Sequence, residues 1–125
     1  MADSRTVLVV DDDPVMLAFL ERAIGAEYAV TTAPDGAAAL ERARGGSVDL
    51  VVADLMMPRL DGFAFTEALR ADERTERLPL LILSGSDTSA DRIRCLRLGA
   101  DDFVAKPFNP EELMARIANL FRRIG

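Results

Sequence analysis

Three short apolar runs each end on charged residues, and this pattern most constrains what the chain can fold into. The runs and the residues that end them are 7–10 before Asp11-Asp12-Asp13, 50–53 before Asp54, and 103–105 before Lys106. Parallel strands of an open α/β sheet finish at the same edge, and ligands bind at that edge. The pattern therefore predicts that four carboxylates and one ammonium group converge on one spot.

Lys106 differs in kind from every other basic residue of the chain. Of the 15 lysine and arginine residues, Lys106 is the only lysine. A lysine ammonium is a compact, strongly hydrated point charge, whereas an arginine guanidinium is a planar fork. The choice of lysine indicates that this strand end needs a point charge.

The rest of the chain alternates between strand-like and helix-like segments. We expect strands at about 6–11, 29–33, 49–54, 79–84 and 102–105, separated by segments with the apolar spacing of helices. Such alternation predicts parallel βαβ units with right-handed crossovers and helices on both faces of the sheet. The 125 residues suffice for one doubly wound α/β domain, and neither a linker nor a repeat divides them.

Capping residues predict where the helices begin and end. Asp13 is the expected N-cap of the first helix, with Pro14 at its first position, because this order is typical of helix starts. Glycine favours helix C-termini. The other expected boundaries are Gly25 at the end of the first helix, Gly45-Gly46 after the second, Asp61-Gly62 at the start of the third, Asp87 or Ser89 and then Gly99 for the fourth, and Asn109-Pro110 for the fifth.

Composition excludes several classes of function. The formal net charge of -6 opposes direct binding to nucleic acid or to an anionic membrane. The chain has no histidine and one cysteine, which excludes Ser-His and Cys-His catalysis, a histidine-containing zinc site and an internal disulfide. The N-terminal residues do not fit a signal peptide, and no apolar run is long enough for a membrane span. We therefore expect a cytoplasmic protein.

The acidic residues at the strand ends allow more than one interpretation. Asp13 is explained as a helix cap. Asp11 and Asp12 would repel each other at a strand end, and a hard divalent cation such as Mg2+ removes that repulsion, so we predict a metal site. Asp54 alone fits either a turn or this site. Ser84, which ends the fourth strand, fits either a cap or a donor to a phosphoryl oxygen.

Four motifs match one family in order and in spacing. The motifs are Val9-Val10-Asp11-Asp12-Asp13-Pro14, Asp54-Leu55-Met56-Met57-Pro58-Arg59-Leu60-Asp61-Gly62, Ser84-Gly85, and Gly99-Ala100-Asp101-Asp102-Phe103-Val104-Ala105-Lys106-Pro107-Phe108. The chain resembles, over essentially its whole length, the receiver domain of two-component response regulators. The resemblance implies a single receiver domain over residues 1–125, structured from about residue 5 to residue 122. It also implies a flavodoxin-like, five-stranded parallel sheet of strand order 2-1-3-4-5 with five helices.

The resemblance implies a magnesium site at the strand ends. Asp12 and Asp54, with the backbone carbonyl of Met56, would bind Mg2+ directly, and Asp11 would act through a metal-bound water. Mn2+ is the alternative ion, because carboxylate, carbonyl and water ligands suit it too.

The resemblance also implies that Asp54 accepts a phosphoryl group. Ser84 and Lys106 would contact its oxygens, and Pro107 would follow the lysine through a cis peptide bond, a geometry found mainly before proline. The donor would be a phosphohistidine on a histidine kinase or phosphotransfer protein, because this chain has no histidine. The domain would be no conventional enzyme and would catalyse only its own phosphorylation and dephosphorylation.

Two further pairs of residues would regulate this chemistry. Met56 and Ser86, two positions beyond Asp54 and Ser84, are expected to set the lifetime of the phosphoaspartate. Ser84 and Phe103 form the switch that the resemblance implies: the hydroxyl moves toward the phosphate and the aromatic side chain turns inward. Phe103 is also explained as a simple core residue.

The resemblance places the output surface on the fourth helix, fifth strand and fifth helix. This face would control a partner or a covalently linked effector domain, and it is also a candidate homodimer interface. The charged residues at suitable positions for pairing are Arg92, Asp101, Asp102, Glu112 and Arg116. In the branch of the family that dimerises through this face, an acidic residue is common at the position of Arg97. Ordinary solvated surface charge is the alternative explanation for all of these charged residues.

Two other functions fit parts of the sequence. Asp11-Asp12-Asp13-Pro14-Val15 also fits the Asp-x-Asp-x-Val/Thr motif of haloacid-dehalogenase-like phosphatases, in which the first aspartate is a nucleophile. Those proteins are usually longer, and the loop after Asp54 has no place in their pattern. The other alternative is a receiver-like interaction module that works without phosphorylation, although every position that the site requires is filled.

Overall fold

The computed structural model describes residues 3–86 and 88–123, in which five strands alternate with five helices. The elements are β1 (Thr6–Val10), α1 (Pro14–Gly25), β2 (Ala29–Ala33), α2 (Gly36–Arg44), β3 (Leu50–Asp54), α3 (Gly62–Ala71), β4 (Leu80–Ser84), α4 (Ser89–Leu98), β5 (Asp102–Ala105) and α5 (Pro110–Arg123). The strands form one parallel sheet in the order β2-β1-β3-β4-β5. The predicted doubly wound, flavodoxin-like fold is confirmed. None of these helices has the length and apolar character needed to cross a membrane.

The helices cover both faces of the sheet because strand side chains alternate between two apolar cores. Leu8 and Val10 of β1 pack in the core shared with α2, α3 and α4, whereas Val7 and Val9 pack in the core shared with α1 and α5. Every residue of β3 and β4 is buried, as a parallel strand covered on both faces requires. The central strands therefore form a rigid base for the residues at their ends.

The strand register brings the predicted site residues to one edge. Val10 pairs with Ala53, so Asp11 follows β1 beside Asp54 at the end of β3. Ser84 at the end of β4 pairs with Ala105, the residue before Lys106. The pairing of main-chain groups thus already fixes which side chains can meet.

Most of the predicted helix boundaries agree with the structure. Asp13 caps α1 by accepting a hydrogen bond from the Val15 N–H at 3.0 Å. The fourth helix, α4, starts at Ser89, which is one of the two predicted starts. The other predicted start, Asp87, lies outside the described residues. The N-cap of α4 is Thr88, whose hydroxyl oxygen accepts a hydrogen bond from the Asp91 N–H at 3.3 Å.

Gly62 allows α3 to begin directly against the end of β3. Its N–H donates to the Leu55 carbonyl at 2.7 Å. A Cβ atom on Gly62 would lie 2.7 Å from the Leu55 Cα, a distance that real atoms do not adopt, and 3.1 Å from the Leu55 carbonyl oxygen, which is a tight contact. Any side chain at this position would push the start of α3 away from the strand.

We expect Gly62→Ala to lower the free energy of unfolding by about 1–3 kcal/mol, the usual cost of overpacking. Urea unfolding followed by circular dichroism measures this change. Gly85→Ala is the matched control, because a Cβ atom there meets nothing within 4 Å, and we expect a change of no more than about 0.5 kcal/mol. Equal effects of the two substitutions would contradict the steric explanation.

Candidate functional site

Three aspartate side chains meet at the carboxyl edge of the sheet. Asp11, Asp12 and Asp54 each offer a carboxylate oxygen, and these oxygens lie within 4.8 Å of one another. Asp11 and Asp54 are only 1% and 7% exposed, whereas Asp12 faces solvent. Negative charges so close together repel each other, and more strongly where water is excluded. The arrangement therefore favours the binding of positive charge.

Lys106 supplies part of that positive charge. Its Nζ lies 3.1 Å from Asp54 Oδ1 and 3.5 Å from Asp11 Oδ2. Because Lys106 follows β5, its side chain passes the end of β4 to reach carboxylates on β3 and after β1. The peptide bond between Lys106 and Pro107 is cis. One ammonium group among three carboxylates leaves the site negatively charged overall.

Asp13 does not join the carboxylate cluster, contrary to the expectation that four carboxylates converge. Its exposed side chain is used to cap α1, where Oδ1 accepts the Val15 N–H. Its own N–H donates to Asp11 Oδ1 at 3.0 Å. Asp13 therefore starts the helix and helps to hold Asp11.

Burial raises the pKa of the Asp54 carboxyl group above its ordinary value. The hydrogen bond and the charge of Lys106 act in the opposite direction, and the negative charges of Asp11 and Asp12 add to the increase. The net direction is upward. The folded protein without a bound cation therefore disfavours the ionised form of Asp54.

Ser84 lies at the end of β4 with its side chain fully buried. Its Oγ accepts a hydrogen bond from the Ser86 N–H at 3.0 Å, and its carbonyl accepts one from the Lys106 N–H at 2.6 Å. A serine hydroxyl has one proton and two lone pairs. The bond from Ser86 uses a lone pair, so the proton of Ser84 remains to be donated.

The other predicted site residues lie around this edge. Met56 is 64% exposed and two residues beyond Asp54. The Ser86 hydroxyl donates to Asp91 of α4 at 2.7 Å, so it is already bound within the chain. Phe103 is 5% exposed and packs in the core under α2, α3 and α4. Its ring therefore takes the inward position, with the guanidinium of Arg92 at 5.3 Å from its centroid.

Charged residues of the predicted output face form ion pairs within the chain. Arg116 contacts both carboxylate oxygens of Asp102 at 3.1 Å and Glu112 at 3.0 Å. Asp101 contacts Arg70 at 3.0 Å. These pairs are partly or fully exposed to water, where an ion pair contributes about 0–1 kcal/mol. They can therefore be exchanged for other partners at little cost.

Two residues with many contacts were not predicted from the sequence. The Arg70 guanidinium donates to carbonyl groups in two separate segments, at Leu78 and Gly99, as well as to Asp101. No local sequence pattern predicts these contacts, because these partners of Arg70 lie 8 to 31 residues away along the chain. Asp91, which binds Ser86, does carry a local signal, because Thr88 and Asp91 have the spacing of a capping box.

Comparison with known proteins identifies the family of this fold and site. The family model described as "Response regulator receiver domain" matches residues 7–118. The chain therefore belongs to the receiver domain family of response regulators. This membership favours the receiver interpretation over the phosphatase one, and it places the chain among signalling domains rather than conventional enzymes.

Three relatives show the kinds of protein in which similar chains occur. The transcriptional regulatory protein PrrA of Mycobacterium tuberculosis is 45% identical over 123 residues, which are 98% of this chain and 52% of that protein. The response regulator GtcR of Aneurinibacillus migulanus is 42% identical over 96% of this chain and 49% of that protein. A hybrid signal transduction histidine kinase D of Dictyostelium discoideum is 43% identical over 91% of this chain and 7% of the kinase. The chain thus spans about half the length of the first two relatives and a small part of the third.

Two solved structures share the fold and, in one case, contain a metal ion. The receiver domain of the Francisella response regulator 1452 has a TM-score of 0.90 and 34% identity, covering 98% of this chain and all of that one. The receiver domain of the sensor histidine kinase PA1611 of Pseudomonas aeruginosa has a TM-score of 0.84 and 35% identity, covering 96% and 97% of the two chains. The latter structure has a magnesium ion coordinated in its active-site cleft.

The carboxylate cluster fits a hard divalent cation. Carboxylate oxygens, supplemented by carbonyl groups and water, are the ligands that Mg2+ prefers. Both oxygens of Asp11 already have partners, since Oδ1 accepts from Asp13 and Oδ2 contacts Lys106. This use of Asp11 favours Asp12 and Asp54 as the side chains that would bind the ion directly.

We expect Asp54→Asn to raise the urea midpoint of unfolding at neutral pH in the presence of a chelator. The raised pKa means that ionised Asp54 destabilises the folded state above that pKa. The difference from the wild type should shrink as the pH falls through the raised pKa and vanish below the ordinary value of 3.8, because the group is then protonated in both states. Urea unfolding at a series of pH values measures it.

Asp13→Asn is the matched control for this stability measurement. Asparagine caps helices about as well as aspartate, so we expect the midpoint to stay close to the wild-type value. A lower midpoint for Asp54→Asn at neutral pH would mean that the attraction of Lys106 outweighs the cost of burial.

Proposed function

We propose that this chain is a phosphoacceptor of a two-component phosphorelay and that Asp54 receives the phosphoryl group. The observation that carries the proposal is the position of Asp54. It ends the central strand β3, lies in a cluster with Asp11 and Asp12, and contacts Lys106 at 3.1 Å. A structural aspartate would not need two further carboxylates and the only lysine of the chain beside it.

Phosphoryl transfer needs positioning and charge stabilisation more than covalent chemistry from the protein. An Asp54 oxygen attacks phosphorus and forms the new P–O bond, while the P–N bond of the donor phosphohistidine breaks and the imidazole leaves with the electron pair. Lys106 neutralises the phosphoryl oxygens, and the Ser84 hydroxyl donates to one of them. Asp12, Asp54 and the Met56 carbonyl would bind Mg2+, or alternatively Mn2+, directly, and Asp11 would act through a water bound to the ion; the ion would supply further positive charge at this edge.

The phosphoaspartate would then be hydrolysed by water, which forms a new P–O bond, breaks the bond to the Asp54 oxygen, releases inorganic phosphate and restores the carboxylate. Met56 and Ser86 lie two residues beyond Asp54 and Ser84, and we propose that they control how water approaches. Met56 is exposed, so its side chain can shield the site without loss of core packing. Ser86 is fixed by its hydrogen bond to Asp91.

The proposed donor is a histidine kinase or phosphotransfer protein in the cytoplasm. Because the chain lacks histidine, the phosphohistidine has to come from such a partner. The transcriptional regulatory protein PrrA and the response regulator GtcR are each about twice as long as this chain. We propose that the output is either a separate partner or a covalently linked effector domain. We also propose that the receiver domain described here does not itself bind nucleic acid or membranes.

Incubation with acetyl phosphate and Mg2+ should add one phosphoryl group, measured by intact mass. We expect Asp54→Asn to abolish the adduct, because it removes the nucleophilic oxygen. Asp13→Asn is the control and should retain the adduct, since Asp13 caps α1 outside the cluster. Absence of the adduct in folded wild-type protein would contradict the proposal and favour a phosphorylation-independent interaction module.

We propose that phosphorylation changes the face formed by α4, β5 and α5, which would regulate a partner or a homodimer. Phe103 of β5 lies under this face, and Arg92 of α4 covers its ring. A shift of Ser84 toward the phosphoryl group would change the space available to Phe103. Exposed Ile93 and Leu96 on α4 would supply apolar contact area to a partner.

We expect Phe103→Ala to keep the phosphoryl adduct but lose the response of the output face. Intact mass measures the adduct, and sedimentation velocity with and without phosphorylation measures the self-association of wild type and variant. A variant that no longer accepts the phosphoryl group would contradict the switch role of Phe103. A wild type that stays monomeric when phosphorylated would contradict the homodimer.

A further inference from the structure

A chain of hydrogen bonds connects the buried Ser84 hydroxyl to the first turn of α4. The Ser86 N–H donates to Ser84 Oγ at 3.0 Å, and the Ser86 hydroxyl donates to Asp91 Oδ2 at 2.7 Å. Ser84 is fully buried, and Ser86 and Asp91 are partly buried. The roles proposed above for Ser84 and Ser86 leave Asp91 without one.

The chemistry of the groups fixes the direction of each bond. A backbone N–H can only donate, so Ser84 Oγ accepts from Ser86 and keeps its proton for a phosphoryl oxygen. An ionised carboxylate can only accept, so the Ser86 hydroxyl donates its hydrogen bond to Asp91. Hydrogen bonds from a hydroxyl to a carboxylate are among the short, strong ones. Ser86 is therefore held from both sides.

Asp91 is itself held in place by the start of α4. Its N–H donates to the Thr88 side chain at 3.3 Å, and a negative charge in the first turn of a helix is favourable. The carboxylate that binds Ser86 thus belongs to a regular helix rather than to a loop. This helix has ten residues, and its Cys95 is buried in the core.

We propose that Asp91 is a positioning residue for phosphoryl transfer to Asp54. By holding Ser86, it keeps the Ser84 hydroxyl oriented toward the phosphoryl group. This role rests on the proposed function, because it assumes that Asp54 is phosphorylated. Without the Asp91 bond, Ser86 and the Ser84 hydroxyl would sample more orientations, and fewer of these would support the transfer.

The test compares Asp91→Ala with Asp91→Asn. Both substitutions remove the same negative charge from the first turn of α4, but the asparagine side-chain oxygen can still accept a hydrogen bond from the Ser86 hydroxyl. With acetyl phosphate and Mg2+, we expect adduct formation to slow by about three- to tenfold in Asp91→Ala and to stay within about twofold of wild type in Asp91→Asn. Equal slowing in both variants would overturn the proposal, because the lost charge would then explain the effect.

A double-mutant cycle tests whether Asp91 acts through Ser86. In a Ser86→Ala background, Asp91→Ala should cause no further slowing, because the hydrogen bond is already lost. Independent effects that multiply in the double variant would contradict a role through Ser86.

Hydrogen exchange of the Ser86 N–H provides a readout that needs no phosphorylation. We expect it to exchange faster in Asp91→Ala but not in Asp91→Asn, because its bond to Ser84 depends on the position of Ser86. Unchanged exchange in Asp91→Ala would overturn the proposal. Wild-type protein without an adduct would refute the proposed function, whereas a normal adduct rate in Asp91→Ala would refute only the role of Asp91.

Discussion

The repulsion among Asp11, Asp12 and Asp54 is the constraint on which the rest of the site depends. Strand register forces these carboxylates together, and burial of two of them weakens the screening by water. Lys106 offsets part of the repulsion but cannot offset all of it with one charge. The folded chain therefore carries an incompletely neutralised site. Such a site favours the binding of a cation, and under the proposed function the anionic phosphoryl group would need that added positive charge. The repulsion lowers the stability of the protein alone.

The site combines a rigid part with a part that can respond. Asp54 ends β3, a strand whose residues are all buried, and Asp11 and Asp12 directly follow the largely buried β1. The Ser84 hydroxyl instead depends on Ser86, which is bound to Asp91 of α4. The next residue of that helix, Arg92, covers the Phe103 ring. Neighbouring positions of α4 thus contact Ser86, next to the proposed phosphoryl-binding side, and Phe103 under the proposed output face. A movement of this helix would therefore affect both.

Local sequence patterns predicted those features that arise from local chemistry. Apolar runs ending in Asp54 and Lys106 predicted the strand ends, and helix-capping chemistry predicted the use of Asp13. The expectation that all four carboxylates converge was wrong for Asp13, because the direction of α1 places the Asp13 side chain outside the cluster. The bonds of Arg70 to carbonyl groups at Leu78 and Gly99 join segments far apart in sequence. Only the packed fold brings these together.

The charged residues of the proposed output face contribute less free energy than those of the carboxylate cluster, because they are more exposed to water. The ion pairs of this face, such as Arg116 with Asp102 and Asp101 with Arg70, are formed within the chain and are partly hydrated. A partner that exchanged them for pairs of its own would gain little free energy from charge, since exposed pairs contribute about 0–1 kcal/mol. Burial of Ile93 and Leu96, each nearly half exposed, would contribute more to affinity. Charge on this face would therefore select the partner, while apolar burial would hold it.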